Sequence, residues 1–296
     1  MRIGLLPRSV KIALGKKLYF DKRLSSDDTV ACSNCHDPKQ GFADALPTSK
    51  GIRDQLGPRN APTVLNSAFY DLQFWDGRAP SLEEQAKGPI INPVEMGMPS
   101  HDALVGKLKG IPEYVKEFQG VFGAEMTIDR IVQAIAAFER TIISGNSPFD
   151  RFFYNGEKDA ISEPAKRGLE VFRGKGRCLN CHDFNPIYAL FTDNKFHNIG
   201  VGMDKPEPDP GRFKVTSNSA DKGAFKTSTL RNIALTSPYM HDGSQKTLEE
   251  VVDFYNQGGH NNPYLDGGIV PLNLTDQEKK DLEEFLKSLT GEMPRF

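Results

Sequence analysis

The chain has 296 residues, 38% of them hydrophobic, with a formal net charge of −2. That apolar content suffices for one large core or two of about 130 to 160 residues each, and the near-neutral charge excludes a nucleic-acid footprint or a basic membrane patch. No apolar run approaches the roughly 20 residues of a membrane-crossing helix, so the expectation is a soluble protein without a membrane span.

Val10, Ala13, Leu14 and Leu18 recur at helical spacing and predict a helix over Val10 to Phe20 that stops before Asp21. It leads into Cys32-Ser33-Asn34-Cys35-His36. Thr127 opens the best amphipathic helix, with Ile128, Ile131, Ile135 and Phe138 on one face and Ser144-Gly145-Asn146-Ser147-Pro148 ending it. Residues 144–162 read as a linker. Pro164 then stands early in a helix carrying Ala165, Leu169 and Phe172, which stops at Gly174 and leads into Cys178-Leu179-Asn180-Cys181-His182. Thr275-Asp276-Gln277-Glu278 forms a capping box ahead of a last helix with Leu282, Phe285, Leu286 and Leu289 inward. Strand signals are sparse against 27 glycines and 20 prolines. The predicted class is mainly α, two domains of helices joined by long loops with little β structure.

The two Cys-x-x-Cys-His stretches hold all four cysteines. In each, two thiols can form thioethers to haem vinyl groups, and the adjacent histidine can supply the proximal nitrogen of the iron. A zinc site would have to close the long loop from Cys35 to Cys178, and a redox dithiol has no need of the following histidine. The expectation is therefore two covalently bound c-type haems, attached at Cys32 and Cys35 and at Cys178 and Cys181, with His36 and His182 on the irons. Thioether attachment takes place outside the bacterial cytoplasm. The first ten residues lack the apolar core and cleavage site of a secretory signal, so the expectation is a periplasmic protein whose leader is not in this sequence.

A constant offset of 166 positions relates the halves: Pro62-Thr63-Val64-Leu65-Asn66 to Ser228-Thr229-Leu230-Arg231-Asn232, Asp76-Gly77 to Asp242-Gly243, and Ser81-Leu82-Glu83-Glu84 to Thr247-Leu248-Glu249-Glu250. The last pair also read as capping boxes. A duplicated haem domain follows, with a split into 1–150 and 151–296. At the same offset Tyr255 stands opposite Pro89. A tyrosine oxygen can ligate ferric iron and proline has no donor, so Tyr255 is a candidate sixth ligand of the second haem, with the first left open. Met240 and His241 are the rival ligands. Gln85 and Glu95 flank Pro89 and are the candidates for handling peroxide, a carboxylate being able to move a proton between the two oxygens.

Several motifs resemble those of the bacterial di-haem cytochrome c peroxidases and their MauG-like relatives over nearly the whole chain. They are Leu14-Gly15-Lys16-Lys17-Leu18, Gly57-Pro58-Arg59-Asn60-Ala61-Pro62-Thr63, Phe74-Trp75-Asp76-Gly77-Arg78-Ala79, Glu84-Gln85-Ala86, Asn92-Pro93-Val94-Glu95-Met96 and Thr236-Ser237-Pro238-Tyr239-Met240-His241-Asp242-Gly243. The resemblance implies a peroxidatic N-terminal haem, a C-terminal haem that receives electrons, and Trp75, the only tryptophan, between them. It implies Glu95 as acid/base with Gln85 in the peroxide pocket, and a calcium ion held by oxygens of Asn60, Thr236 and Pro238. Many members carry a removable histidine ligand in the loop after Pro47-Thr48-Ser49; this chain has no histidine between His36 and His101. That departure, with Tyr255 at the usual methionine position, is similar to MauG. The implied activity is reduction of hydrogen peroxide with electrons from a small c-type cytochrome or a copper protein. The alternatives are MauG-like oxidation of Trp or Tyr residues in a partner protein and a non-catalytic di-haem electron carrier. Relatives are often homodimers.

Overall fold

The computed structural model describes residues 8–296; most of the stretch on which the leader reading rests lies outside that range. The helices are α1 (Arg8–Tyr19), α2 (Cys32–Cys35), α3 (Leu82–Ile91), α4 (His101–Lys109), α5 (Pro112–Phe122), α6 (Ile128–Glu139), α7 (Pro148–Phe153), α8 (Glu163–Arg173), α9 (Phe213–Thr216), α10 (Leu248–Asn256) and α11 (Asp276–Lys287). Among the described residues the only sheet is an antiparallel pair, β1 (Phe196–His197) and β2 (Phe225–Lys226), with Phe196 opposite Lys226. The mainly α, loop-rich expectation holds.

Each cysteine motif follows a helix that crosses a later one at a glycine. On α1, a Cβ at Gly15 would lie 1.8 Å from the Ala134 carbonyl oxygen of α6; on α8, one at Gly168 would lie 1.9 Å from the Asp281 carbonyl oxygen of α11. Only a residue without a side chain lets the two backbones come this close, which explains glycine inside otherwise regular helices. Two apolar clusters form around these crossings. One holds Leu14, Leu18, Tyr19, Phe118, Ile135 and Phe138, the other Phe149, Phe172, Phe191, Leu282 and Phe285. The chain end returns to the first, where the Phe296 ring packs 4.9 Å from that of Phe138.

Two readings of the sequence need correction. Residues 144–162 are not a bare linker: Ser147 and Asp150 form a capping box for α7, and Phe149 is fully buried at the centre of the second aromatic cluster. The glycine, asparagine and serine before Pro148 mark a helix start, and the short helix after them was hidden by the polar residues that follow. The boxes at α3 and α10 are half formed. Ser81 Oγ accepts the Glu84 N–H at 3.2 Å and Thr247 Oγ1 the Glu250 N–H at 3.1 Å. The glutamates do not complete them: Glu84 pairs with Lys87 at 2.7 Å, and Glu250 reaches the N–H of Lys246. At α11 the box is complete, with the Thr275 N–H on Glu278 at 2.7 Å.

The 166-residue offset is a structural relation. Asn60 N–H donates to the His241 carbonyl at 2.8 Å, and Lys226 N–H to the Trp75 carbonyl at 2.8 Å. Asn60 and Lys226 are counterparts under the offset, as are Trp75 and His241, so the two bonds are images of each other. Phe74 and Met240 share a left-handed backbone, φ 68° and 72°. Gly77 lies against Phe196 and Arg212 of the second half, and Gly243 against Pro47 of the first, each where a Cβ would come within 2.3 Å.

Gly15→Ala and Gly168→Ala should each destabilise the fold by about 1–3 kcal/mol, because the added methyl forces a helix crossing apart. Gly106→Ala, on α4 with nothing within 4 Å of a new Cβ, should be neutral or stabilising by up to about 1 kcal/mol. Urea unfolding of the three variants checks the contrast.

Candidate functional site

The second cysteine motif opens into a mostly apolar cavity of about 450 Å³. Cys178, Cys181 and His182 line it together with Met240, Tyr255 and Trp75. His182 Nδ1 donates to the Phe191 carbonyl at 2.9 Å, which fixes the tautomer and leaves Nε2 with its lone pair. Burial holds the ring below the usual imidazole range, hence neutral. None of the four cysteines pairs in a disulfide, and burial pushes the Cys178 thiol up to about 12. Paired protonated thiols beside an oriented neutral imidazole, in an apolar chamber, are the donor set that a covalently attached haem requires.

The first motif repeats these devices. Cys32 and Cys35 bracket α2, the His36 N–H closes the turn on the Cys32 carbonyl at 3.0 Å, and His36 Nδ1 faces the Phe42 carbonyl at 3.3 Å. Burial lowers His36 to about 4. Glu95 belongs to this site, since its charge adds to burial and Asp44 in raising Cys35 to about 12. Burial likewise raises Glu95 above the ordinary carboxylate value, against the pull of Arg78 and of the Asn92 side chain, which donates to it at 2.8 Å. Gln85 is half-buried on α3, one turn before Pro89. The loop after Ser49 is held against Glu95: Ile52 N–H donates to the Glu95 carbonyl at 2.9 Å, and the Ile52 side chain is buried in the first cluster.

Trp75 stands between the halves. Its indole N–H donates to the Asn60 carbonyl at 2.9 Å, and its ring meets that of His241 at 6.5 Å. His241 stacks on Phe225 with centroids 3.6 Å apart, and burial lowers it to about 4. Asn60, Thr236 and Pro238 line the same cavity. The Asn60 amide donates to the Leu46 carbonyl at 2.8 Å, so its side-chain oxygen faces away from that bond. Beside them Arg59 bridges the halves, 2.7 Å from Asp76 and 2.7 Å from Asp209. Tyr255, on α10, lines the same cavity, and burial, then the charges of Cys181 and Cys178, raise its hydroxyl well above the usual phenol range.

Beside the second motif stands a cluster of possible ligands, and two further residues, Glu139 and Lys226, escaped the sequence reading. Cys181, Asp193 and His197 bring donor atoms within 4.8 Å of one another. Both His197 nitrogens are already taken, Nδ1 by Asp266 at 2.6 Å and Nε2 by Asp193 at 2.9 Å, so the ring is a doubly bonded imidazolium and not a ligand. Glu139, at the end of α6, is buried with one carboxylate oxygen unpartnered, and burial raises it to about 8. Lys226 lines the second cavity with no acidic partner. No spacing rule marks Glu139 or Lys226, because their surroundings are brought together from segments far apart in the chain.

The family model described as di-haem cytochrome c peroxidase matches residues 9–159. Methylamine utilization protein MauG of Methylorubrum extorquens is 42% identical over 286 residues, 95% of this chain and 78% of that protein. Cytochrome c551 peroxidase of Nitrosomonas europaea is 41% identical over 299 residues, 99% of this chain and 84% of that protein. A crystal structure of a MauG-like protein associated with microbial copper homeostasis superposes with a TM-score of 0.83 at 34% identity, over 96% of this chain and 90% of that one. This chain belongs to the di-haem cytochrome c peroxidase and MauG family. It is a c-type di-haem oxidoreductase of the peroxidase class, with two covalently bound haems. Among the described residues no helix is long and apolar enough to cross a membrane.

Removing Arg59 leaves the Asp209 carboxylate without a cation, while Asp76 keeps Arg78 at 3.0 Å, so Arg59→Leu should lower stability by about 3 kcal/mol in urea unfolding. Burial alone would raise Asp209, but Arg59 and the Gly211 N–H outweigh it and hold the carboxyl at about 2, below its ordinary 3.8. The stability it contributes is therefore present above its unfolded value and lost as pH falls through about 2. Asp209→Asn should be less stable than the parent near neutral pH, with the gap closing in acid.

Proposed function

We propose that the protein reduces hydrogen peroxide at the His36 site and draws on a second, His182-anchored centre for electrons. The observation that carries this reading is the asymmetry at one matched position: α10 presents Tyr255 to its motif, where α3 carries Pro89. The thioethers form at Cys32 and Cys35 and at Cys178 and Cys181, one haem to each half of the chain, 1–150 and 151–296. Tyr255, with His182, would hold the second iron. The first has no side-chain ligand opposite His36, because the loop that carries a histidine in other members places Ile52 in the core instead.

Bound haem supplies an iron that polarises peroxide and passes electrons into its O–O bond. The chain supplies the proton transfer. Glu95 takes a proton from one peroxide oxygen and returns it to the other, which leaves as water, while Gln85 orients the molecule. Reduction to two waters consumes two electrons and two protons. Trp75, with its indole N–H tied to Asn60 and its carbonyl to Lys226, lies on the route between centres. A calcium ion held by oxygens of Asn60, Thr236 and Pro238 would rigidify that junction. The compartment is the periplasm, and the donor is a small c-type cytochrome or copper protein. Tyr255 also favours a second reading, MauG-like oxidation of Trp or Tyr residues in a partner protein. Steady-state turnover with reduced cytochrome c supports the first reading; its absence together with oxidation of a partner supports the second.

The fully ferric protein should react with peroxide without prior reduction. In stopped flow, Glu95→Gln should slow that reaction by about 10²- to 10⁴-fold. The base form of Glu95 is populated only above its burial-raised pKa, so the parent rate should fall on acidification earlier than an exposed carboxylate would dictate. Tyr255→Phe should convert the low-spin ferric EPR signal of the second haem to high spin. An unchanged signal would hand the ligand role to Met240 or His241 and favour an electron carrier.

A further inference from the structure

Lys226 lines the second cavity, and among the described residues no carboxylate pairs with its charge. It sits on β2, its side chain 94% out of contact with solvent. Among the described residues its ammonium makes neither a salt bridge nor a hydrogen bond, and Nζ stands 3.0 Å from the centroid of the Tyr70 ring. Tyr70 is itself committed, accepting the Thr229 N–H at 2.9 Å, and it stays a neutral phenol because burial raises it to about 12. The other cations lining the cavity are accounted for. His197 is held between Asp193 and Asp266, and Arg177 is exposed to solvent.

An ammonium buried without a counter-ion carries a penalty of several kcal/mol or gives up its proton; burial alone lowers Lys226 to about 7. Asn60, its counterpart in the first half, is an uncharged amide bonded to the Leu46 carbonyl, so the cation is particular to the second half. A haem attached at this motif brings two propionate carboxylates into a chamber of about 450 Å³ with little polar lining. Each carboxylate needs a cation as much as the ammonium needs an anion.

We propose that Lys226 is the counter-ion of a propionate of the haem attached through Cys178 and Cys181. The residue that carries the pair is anchored at its backbone, where the Lys226 N–H holds the Trp75 carbonyl at 2.8 Å, while its ammonium lies over the Tyr70 ring. The proposal rests on haem attachment at that motif. Its consequence is electrostatic. The ammonium offsets a negative charge at the haem edge, which favours the reduced iron, and its loss should shift the couple toward the ferric form.

The test is spectroelectrochemical titration of the holoprotein and its Lys226→Met and Lys226→Arg variants, after mass spectrometry of the fragment carrying Cys178 to His182 confirms haem. Lys226→Met should favour the ferric second haem at least ten-fold at fixed applied potential, a fall of about 59 mV for a one-electron couple. Lys226→Arg should stay within about two-fold of the parent, and so should the first haem in both variants, being outside this cavity. An unchanged second-haem couple in Lys226→Met, with haem attached, overturns the ion pair and leaves the attachment reading intact. A fragment without haem overturns both. If Lys226→Met loses the second haem and Lys226→Arg keeps it, the pairing is supported; if both lose it, the residue fills a purely steric role and the proposal fails.

Discussion

Two backbone hydrogen bonds hold the centre of this molecule together: Asn60 to the His241 carbonyl and Lys226 to the Trp75 carbonyl. Each is ordinary in strength, on the order of 1 kcal/mol net. Their importance is positional. They link the halves at matched points, and they do so at the carbonyls of the two aromatic residues that face each other between the sites. A main-chain bond to a residue fixes where its side chain can reach, so Trp75 and His241 are placed by contacts that do not depend on their own rings.

Around that junction the two halves use the same backbone for different side chains. The left-handed residues Phe74 and Met240, the Asp-Gly turns at Gly77 and Gly243, and the helices α3 and α10 recur at one offset. Pro89 faces Tyr255, Asn60 faces Lys226 and Trp75 faces His241 in the same alignment. Glycine and left-handed conformations carry the geometry, and those positions tolerate little change because a Cβ or a different φ would collide with the opposite half. Positions that only present a side chain to a cavity are free of that restraint. An iron's sixth ligand, the charge beside it and the aromatic group between centres can all differ across a shared scaffold.

How much of this is legible in the sequence follows from the range of the interactions involved. The cysteine motifs, the histidines that follow them and the matched helices are local patterns, and the helices start where spacing places them. The offset exposed Tyr255 and Pro89 because both ride on capped helices whose starts can be read. The helix crossings at Gly15 and Gly168 were not read, since a lone glycine in a helix announces a close contact without naming its partner. The segment at 144–162 misled because polar punctuation looks the same before a linker and before a short helix; only the burial of Phe149 distinguishes them.

Lys226 shows why the remaining residues were out of reach. In the sequence it is one lysine among 37 basic residues, adjacent to a phenylalanine in a loop-rich stretch. Its meaning depends on Tyr70, Trp75 and the second cysteine motif converging on one chamber from positions far apart in the chain. A buried charge is read by asking what neutralises it, and that question cannot be put until the walls are known. Once they are, the lack of a salt bridge to Lys226 among the described residues is itself informative: a cation enclosed in a haem-sized cavity is matched to the anions that the cofactor brings with it.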